Sequence, residues 1–264
     1  MLTQEPRKIV SRRDRPAKPP LSRDLIVATA LDLLTRDGLS ALSLRKVAAA
    51  LDTGPASLYV YVANLAELHA LMLDRALGAV ALPAAREDED EGEGGWRERL
   101  TAVLVSYLRV LDDGPGLGQL ALSTIAVGPH ALRLVETLLN LLLEGGIDPP
   151  VAAWAVDLLT LHVAAVAAEQ DARRAGGDTF GPVAQAIAAA PAADYPHIHA
   201  LRAELLSGGE EMPSGGNVRL GWVVDVLING VLHAPAIPLA PTDAARPPAA
   251  PTTQAPITHE ESDR

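Results

Sequence analysis

The chain of 264 residues contains no cysteine, which excludes disulfide bridges, zinc–thiolate sites and thiol catalysis. Aromatic residues make up only 3% of the sequence, and phenylalanine occurs once. Because Ala and Leu dominate instead, the composition disfavours a β-sandwich and favours helices. No signal peptide is apparent, so the expected compartment is the cytoplasm.

Catalytic and metal-binding motifs are also missing. The sequence has no Gly-rich phosphate loop, no Ser/His/Asp order and no metal-ligand spacing. The acidic, glycine-rich run within residues 84–95 has no fixed ligand spacing, and we expect it to be a solvated loop. We therefore expect a protein that is not an enzyme and that needs no cofactor and no metal.

One stretch is apolar enough to be tested as a membrane span. Residues 151–168 are almost wholly apolar, but Asp157 lies near their centre and His162 follows. The sequence offers no second span and no flanking basic cluster. Since a helix that is apolar on most sides is buried in a soluble protein, we expect no membrane partner.

Charge is distributed unevenly along the chain. The formal net charge is −11, yet residues 1–81 carry eleven Lys/Arg against eight Asp/Glu, a balance of +3. An acidic remainder limits indiscriminate attraction to phosphates. The N-terminal part is therefore the candidate end for contact with nucleic acid.

Residues 43–62 have the layout of a helix-turn-helix, in which the second helix enters the DNA major groove. Leu44, Val47, Ala48 and Leu51 give the first helix one apolar face, and a four-residue Gly/Pro turn follows. This pattern leaves a compact, mostly uncharged set of side chains pointing outward. They are Arg45, Pro55, Ala56, Ser57, Tyr59 and Tyr61.

Helix and breaker signals divide the chain into four parts. Residues 1–20 form a basic arm, which is either a solvated disordered tail or a segment that follows phosphates or enters a minor groove. Residues 21–66 form the helix-turn-helix domain and residues 67–233 a larger helical domain, followed by a disordered tail at 234–264. The predicted fold class is all-α, with a three-helix helix-turn-helix head and a helical-bundle body.

The body contains a few polar or aromatic residues among its many Ala and Leu. A small-molecule pocket needs a few convergent polar groups in an apolar wall. Each such residue is either a ligand contact or part of the core or of a dimer interface. The candidate ligand residues are Tyr107, Asn140, Trp154, Asp157 and His162.

Residues 42–68 resemble the TetR family of one-component bacterial transcription regulators, and its tetracycline-repressor branch in particular. The likeness rests on Leu44-Arg45-Lys46-Val47-Ala48, on Gly54-Pro55-Ala56-Ser57-Leu58-Tyr59, and on Tyr61-Val62 with Asn64 and Leu68. Two later segments are more faintly similar to the dimerisation helices of that branch. They are Asp148-Pro149-x-x-Ala152 and Gly221-Trp222-x-x-Asp225-x-Leu227-x-Asn229-Gly230.

This resemblance implies an all-α homodimer that binds double-stranded operator DNA through its heads. In such proteins a small-molecule effector in the body changes the separation of the heads and releases a palindromic operator. The resemblance thus supplies three expected partners: DNA, a second copy of the chain, and an unidentified effector. The dimer residues that follow from it are Ala153, Leu161, Trp222, Val226 and Leu227.

The resemblance also assigns roles within the head. Arg45 occupies the position that reaches a base edge, and Pro55 and Ala56 occupy positions that suit contact with thymine methyl groups. Hydroxyl contacts to phosphates or bases fall to Ser43, Ser57, Tyr59 and Tyr61.

One position departs from the family pattern. The family usually has a Lys after the residue that corresponds to Asn64, where it pairs with a phosphate, whereas this chain has Leu65. A ligand-responsive repressor is the first interpretation. A helical small-molecule-binding protein or enzyme with a weakened DNA-binding head is an alternative, and an activator of the same family is another.

Overall fold

The computed structural model describes residues 20–83, 95–176, 180–206 and 218–234. Within these ranges the chain forms α-helices and one 3₁₀ turn at Leu39–Ala41, with no β-strand, which confirms the predicted all-α class. The helices are α1 Arg23–Asp37, α2 Leu44–Ala50, α3 Pro55–Leu58, α4 Leu65–Leu77, α5 Gly95–Asp113, α6 Leu117–Ser123, α7 Pro129–Glu144, α8 Pro149–Gly176, α9 Phe180–Ala189, α10 Pro196–Ala200, α11 Arg202–Leu206 and α12 Val218–Leu232.

Helices α1 to α3 form the head around a small apolar core. The sequence predicts Ser22 and Ser43 as helix caps, and their Oγ atoms accept hydrogen bonds from the N–H groups of Leu25 and Lys46. Three side chains from successive helices meet in the core without solvent exposure. They are Ile26, Val47 and Leu58.

The turn between α2 and α3 is a Schellman motif. The N–H of Thr53 donates to the carbonyl of Ala48 at 2.9 Å, and the N–H of Asp52 donates to the carbonyl of Ala49 at 3.0 Å. Asp52 takes the left-handed conformation, with φ at 49°. The turn ends α2 sharply, and Pro55 then opens α3 as its first residue.

Helix α4 belongs to both the head and the body, because it packs against α1 on one side and against α7 on the other. Asn64 caps its N-terminus by accepting from the N–H of Glu67 at 2.8 Å. Near its C-terminus, the buried carboxylate of Asp74 accepts hydrogen bonds from the N–H groups of His130 and Ala131, at 3.0 and 2.9 Å. Asp74 thereby caps α7 from a neighbouring helix.

The body is built around α8, which packs against α5, α6 and α7. By length and composition alone α8 could cross a membrane, but core helices of soluble proteins have the same character. One face of α8 is buried, as at Leu159 and Val163, while Trp154 and Leu158 on the other side are exposed. Helix α6 crosses α8 closely at Gly118, which lies against the backbone of Ala167.

Three helix boundaries differ from what the apolar pattern and the helix breakers predict. The helix predicted over residues 65–81 ends at Leu77, and the helix predicted over residues 117–127 ends at Ser123. Thr124 takes an extended conformation there, and Gly128 is extended before Pro129. The single helix predicted over residues 197–206 is interrupted at Leu201, although hydrogen bonds from Leu201 to His197 and from Leu205 to Leu201 continue through the break.

Three predicted segments lie outside the described residues: the basic arm up to residue 19, the acidic loop at 84–94, and the tail from residue 235.

Candidate functional site

The helix-turn-helix exposes most of the residues predicted to contact DNA. Helices α2 and α3 pack against each other, and Leu58 and Val62, whose spacing continues the apolar face of α2 across the turn, are buried. The remaining side chains of α3 form an uncharged surface at the end of the head, where Tyr59 is 57% exposed. The exposed predicted residues are Arg45, Pro55, Ala56, Ser57 and Tyr59.

Arg45 is available for an external contact. Among the described residues it has no hydrogen-bond or ion-pair partner. The next residue, Lys46, instead pairs with Asp37, with 3.7 Å between Nζ and Oδ2. The guanidinium of Arg45 is therefore able to make an external contact without breaking an interaction within the head.

Ser43 and Tyr61 are less exposed than the other predicted contacts. The Oγ of Ser43 accepts from the N–H of Lys46 at 3.3 Å, which leaves its own hydroxyl proton free for a phosphate oxygen. Tyr61 does not point fully outward as predicted, because its ring packs partly against the core of the head.

Val60 is an exposed residue that the sequence analysis missed. It lies between the two tyrosines and is 80% exposed. Leu58 and Val62 already fill the inward positions, so the spacing of these two residues could have indicated that Val60 points outward. An exposed valine there offers a methyl surface to thymine.

The N-terminus of α4 lacks the usual lysine but has an arginine nearby. Leu65 packs against the core, so this position is not merely uncharged but partly buried. The Arg23 guanidinium donates to the carbonyl of Tyr61 at 3.2 Å and lies 3.9 Å from the Glu67 carboxylate. Arg23 of α1 therefore places a positive charge near Leu65, the position where the family usually has a lysine.

The body contains a cavity of about 580 Å³ among α4 to α8, a size typical of small-molecule sites. Leu73 and Leu77 of α4 line one side of it. Most of its wall is apolar, and burial raises the pKa of Tyr107 to about 12, so its phenol stays protonated at neutral pH. The polar side chains in the described lining are Tyr107, Ser123, Thr124, Asp157 and Thr160.

A second space, a groove of about 670 Å³, lies between α8 and α12. Trp154 and Leu158 line it from α8, and Val231 lines it from α12. Ala153, Asp157 and Leu161 are shared with the lining of the cavity. These three residues, spaced by four along α8, form a ridge between the two spaces.

The structure brings together only some of the predicted ligand residues. Tyr107 and Asp157 line the cavity, and Trp154 lies across the ridge in the groove. His162 is outside both linings, and burial lowers its pKa below the usual range. Asn140 is exposed on α7, where its amide donates to Glu136 at 3.5 Å.

The predicted dimer residues lie along α8 and α12. Ala153 and Leu161 are exposed on α8, and Trp222 and Val226 are exposed on α12, Trp222 by 65%. Leu227 is half-buried and packs against the core instead. The exposed members give the two helices an apolar outer surface.

Comparisons with known proteins bear on this architecture. Residues 89–212 match the family described as the tetracyclin repressor-like C-terminal domain. The chain is 36% identical over 159 residues to the HTH-type transcriptional repressor DrrR1 of Streptomyces coeruleorubidus, a match that covers 60% of this chain and 57% of DrrR1. With the second curated relative it shares 48% of that protein's length, so the chain spans about half of each.

Solved structures match over more of their length. A Streptomyces transcription regulator is 42% identical, covers 84% of this chain and 100% of its own, and has a TM-score of 0.64. The TetR family protein ActR of Streptomyces coelicolor is 32% identical, covers 81% of this chain and 98% of its own, and has a TM-score of 0.68. On the strength of the head, the body and these relatives, the chain belongs to the TetR family of transcriptional regulators.

Proposed function

We propose that the protein is a homodimeric, cytoplasmic, DNA-binding repressor that leaves a palindromic operator when a small molecule enters the body cavity. The observation that carries this proposal is the course of α4. Leu73 and Leu77 of α4 line the cavity, and the same helix packs against α1 of the head. A ligand that displaces α4 therefore displaces the head.

The exposed face of the head supports sequence-specific DNA binding. Arg45 forms a bidentate contact with guanine, worth about 1–3 kcal/mol of discrimination. Pro55 and Ala56 contact thymine methyl groups, since their exposed side chains are small enough for close approach. Hydroxyl groups fix the head on the sugar–phosphate backbone. These hydroxyls belong to Ser43, Ser57, Tyr59 and Tyr61.

The outer surface of α8 and α12 supports a two-fold dimer. Trp154, Leu161 and Trp222 are each more than half exposed, and covering apolar surface stabilises by about 25 cal/mol per Å². A two-fold axis also matches a palindrome, because two recognition helices must lie about one DNA turn, roughly 34 Å, apart. A change in head separation thus affects both half-sites together.

Release follows from ordinary linkage. The effector must bind the released conformation better than the DNA-competent one, and a coupling free energy of about 1–3 kcal/mol is typical. Crystal structures of ActR contain actinorhodin or (S)-DNPA, so a relative with a similar fold binds small molecules. That precedent supports an effector site in the cavity of this chain.

The proposal is tested on the DNA upstream of the protein's own gene. At low salt we expect a protected palindrome in a footprint, and in native mass spectrometry a dimer bound to one duplex. No protected palindrome at low salt would contradict the repressor and favour a small-molecule-binding protein with a weakened head. A protected site that raises transcription from the adjacent promoter would identify an activator instead.

The site assignment has its own test. Arg45→Ala combined with Tyr59→Phe should abolish the specific gel shift, because a base contact and a hydroxyl contact are lost together. The dimer should stay intact, since both side chains are exposed. Arg133→Ala, which removes an exposed cation from α7 in the body, is the matched control and should leave the shift unchanged.

A further inference from the structure

The described part of the cavity lining carries charge of one sign only. Among the lining residues that the structure describes, Asp157 supplies the only carboxylate, and none is Lys, Arg or His. Tyr107 adds no charge, because its buried phenol stays protonated. An acidic ligand would therefore find a repelling carboxylate and no compensating cation in this lining.

Two of the four hydroxyl groups in the described lining are engaged as donors. Thr160 donates to the carbonyl of Val156 at 2.8 Å, and Ser123 donates to the carbonyl of Gln119 at 3.0 Å. Neither of these protons can turn to a ligand without breaking its bond to the helix backbone. The other two hydroxyl groups, those of Tyr107 and Thr124, are neutral and supply no cation.

The Asp157 carboxylate lacks a partner in the described part of the chain, where it makes neither a hydrogen bond nor an ion pair. It lies on the ridge between the cavity and the groove, flanked by Ala153 and Leu161. Asp157 is exposed in the single chain. In the proposed dimer the groove side of this ridge is covered, which removes water from one side of the carboxylate. A carboxylate in such surroundings is stabilised by a cation.

We infer that the effector is a largely apolar molecule that carries a protonated amine, and that Asp157 binds this amine. The inference rests on the proposed function, since it names the ligand class of the same cavity. The volume of about 580 Å³ accommodates a molecule of several fused rings. The carboxylate selects among such molecules by charge.

The inference is tested with three probes that share one ring system and differ in charge. They are 9-(aminomethyl)anthracene, 9-(hydroxymethyl)anthracene and anthracene-9-carboxylate. Fluorescence titration of the full-length protein should show the amine binding about tenfold more tightly than the carboxylate, the equivalent of ~1.4 kcal/mol. The neutral alcohol should lie between them.

Asp157→Asn should bring the affinities of the amine and the carboxylate probes within about twofold of each other, while the alcohol binds as before. Asp113→Asn removes the same charge from an exposed position at the end of α5 and should keep the wild-type preference. Equal binding of the probes to the wild-type protein, no binding of the amine, or a preference that survives Asp157→Asn would overturn the inference.

Operator binding is measured on the same samples, so that a failure of the proposed ligand class can be distinguished from a failure of the proposed repressor function. Loss of charge selectivity with an intact footprint overturns only the ligand class. A selective cavity in a protein that protects no DNA overturns the repressor and leaves the ligand class standing.

Discussion

At the scale of single residues, Asp74 makes the clearest contribution to the fold. It is a buried carboxylate, 7% exposed, and its Oδ1 accepts two N–H groups from the first turn of α7. Such N–H groups have no partner within their own helix. Because Asp74 belongs to α4, the cap also joins the helix that reaches the head to the body.

Replacing Asp74 tests this cap. We expect Asp74→Ala to lower the free energy of unfolding by about 1–3 kcal/mol, since two N–H groups at a buried helix end lose their acceptor. Asp74→Asn should cost less, because its amide oxygen still accepts. Urea unfolding measures both variants, with the exposed Asp32→Ala of α1 as control. Equal losses for Asp74→Asn and Asp74→Ala would argue against a capping role.

Tyr107 predicts how stability depends on alkaline pH. The folded protein keeps the phenol proton up to about pH 12, whereas the unfolded chain releases it near pH 10. The stabilisation is complete below pH 10 and is lost as the pH rises towards 12, at up to about 1.4 kcal/mol per pH unit.

The Tyr107→Phe variant should therefore lose stability less steeply than the wild type between pH 10 and 12. Urea unfolding at several pH values in this window gives the two slopes. Tyr195→Phe, which changes a half-exposed tyrosine of the described region, should keep the wild-type slope. Parallel slopes for wild type and Tyr107→Phe would refute the assignment.

At the scale of helices, the crossing of α6 over α8 depends on one glycine. A Cβ atom at Gly118 would lie 2.5 Å from the backbone of Ala167 and Ala168, too close for any real contact. Backbone atoms cannot rotate away as a side chain does, so the helices must separate. Since α6 also leads into the loop that borders the cavity, this crossing fixes the cavity wall.

Gly118→Ala should accordingly destabilise the protein by about 1–3 kcal/mol, the cost of overpacking a tight interface. Helix propensity alone would predict that the variant is more stable than the wild type, because Ala favours a helix over Gly by about 1 kcal/mol. Thermal unfolding decides between them, with the exposed Gln119→Ala on the same helix as control. A stabilised Gly118→Ala variant would mean that α6 is free to move.

Most helices were predictable from local signals, and the exceptions have local physical causes. The serine caps and the Gly/Pro turn gave α1 and α2 and the start of α3, because caps and breakers act within a few residues. The early end of α6 is set by Thr124, which takes an extended conformation, a choice that periodicity does not reveal.

The two candidate sites differ in how far apart their residues lie in the sequence, and this decides how well each could be predicted. The exposed face of the helix-turn-helix was predictable because its residues are close neighbours in sequence, and only the exposure of Val60 and the half-burial of Tyr61 were missed. The cavity is lined from five helices, so polarity alone could not assign its residues. Of the residues predicted as ligand contacts, Tyr107 and Asp157 line this cavity, whereas nothing in the sequence separated Asn140 from them.

At the scale of the whole molecule, the exposed apolar surface of α8 and α12 predicts the assembly. Trp222→Glu should convert the proposed dimer to monomers, because it places a charge at the centre of the surface to be covered. The fold should persist, since Trp222 is 65% exposed. Light scattering after gel filtration measures the mass, and Leu143→Glu on the exposed side of α7 is the control. A dimeric Trp222→Glu variant would move the interface elsewhere.

Helix α4 packs against both the head and the body, and this limits where the body can be joined to the head of another regulator. A hybrid regulator with a foreign head must keep Asp74 with the body that it caps, yet supply an α1 that fits α4. A junction before Asn64 keeps Asp74 with the body. A junction within α4 would instead divide the helix between two proteins and disturb its packing against both α1 and α7. Heads of other regulators are therefore exchangeable only with a matched α1 surface, which makes this helix the compatibility element for biosensor construction.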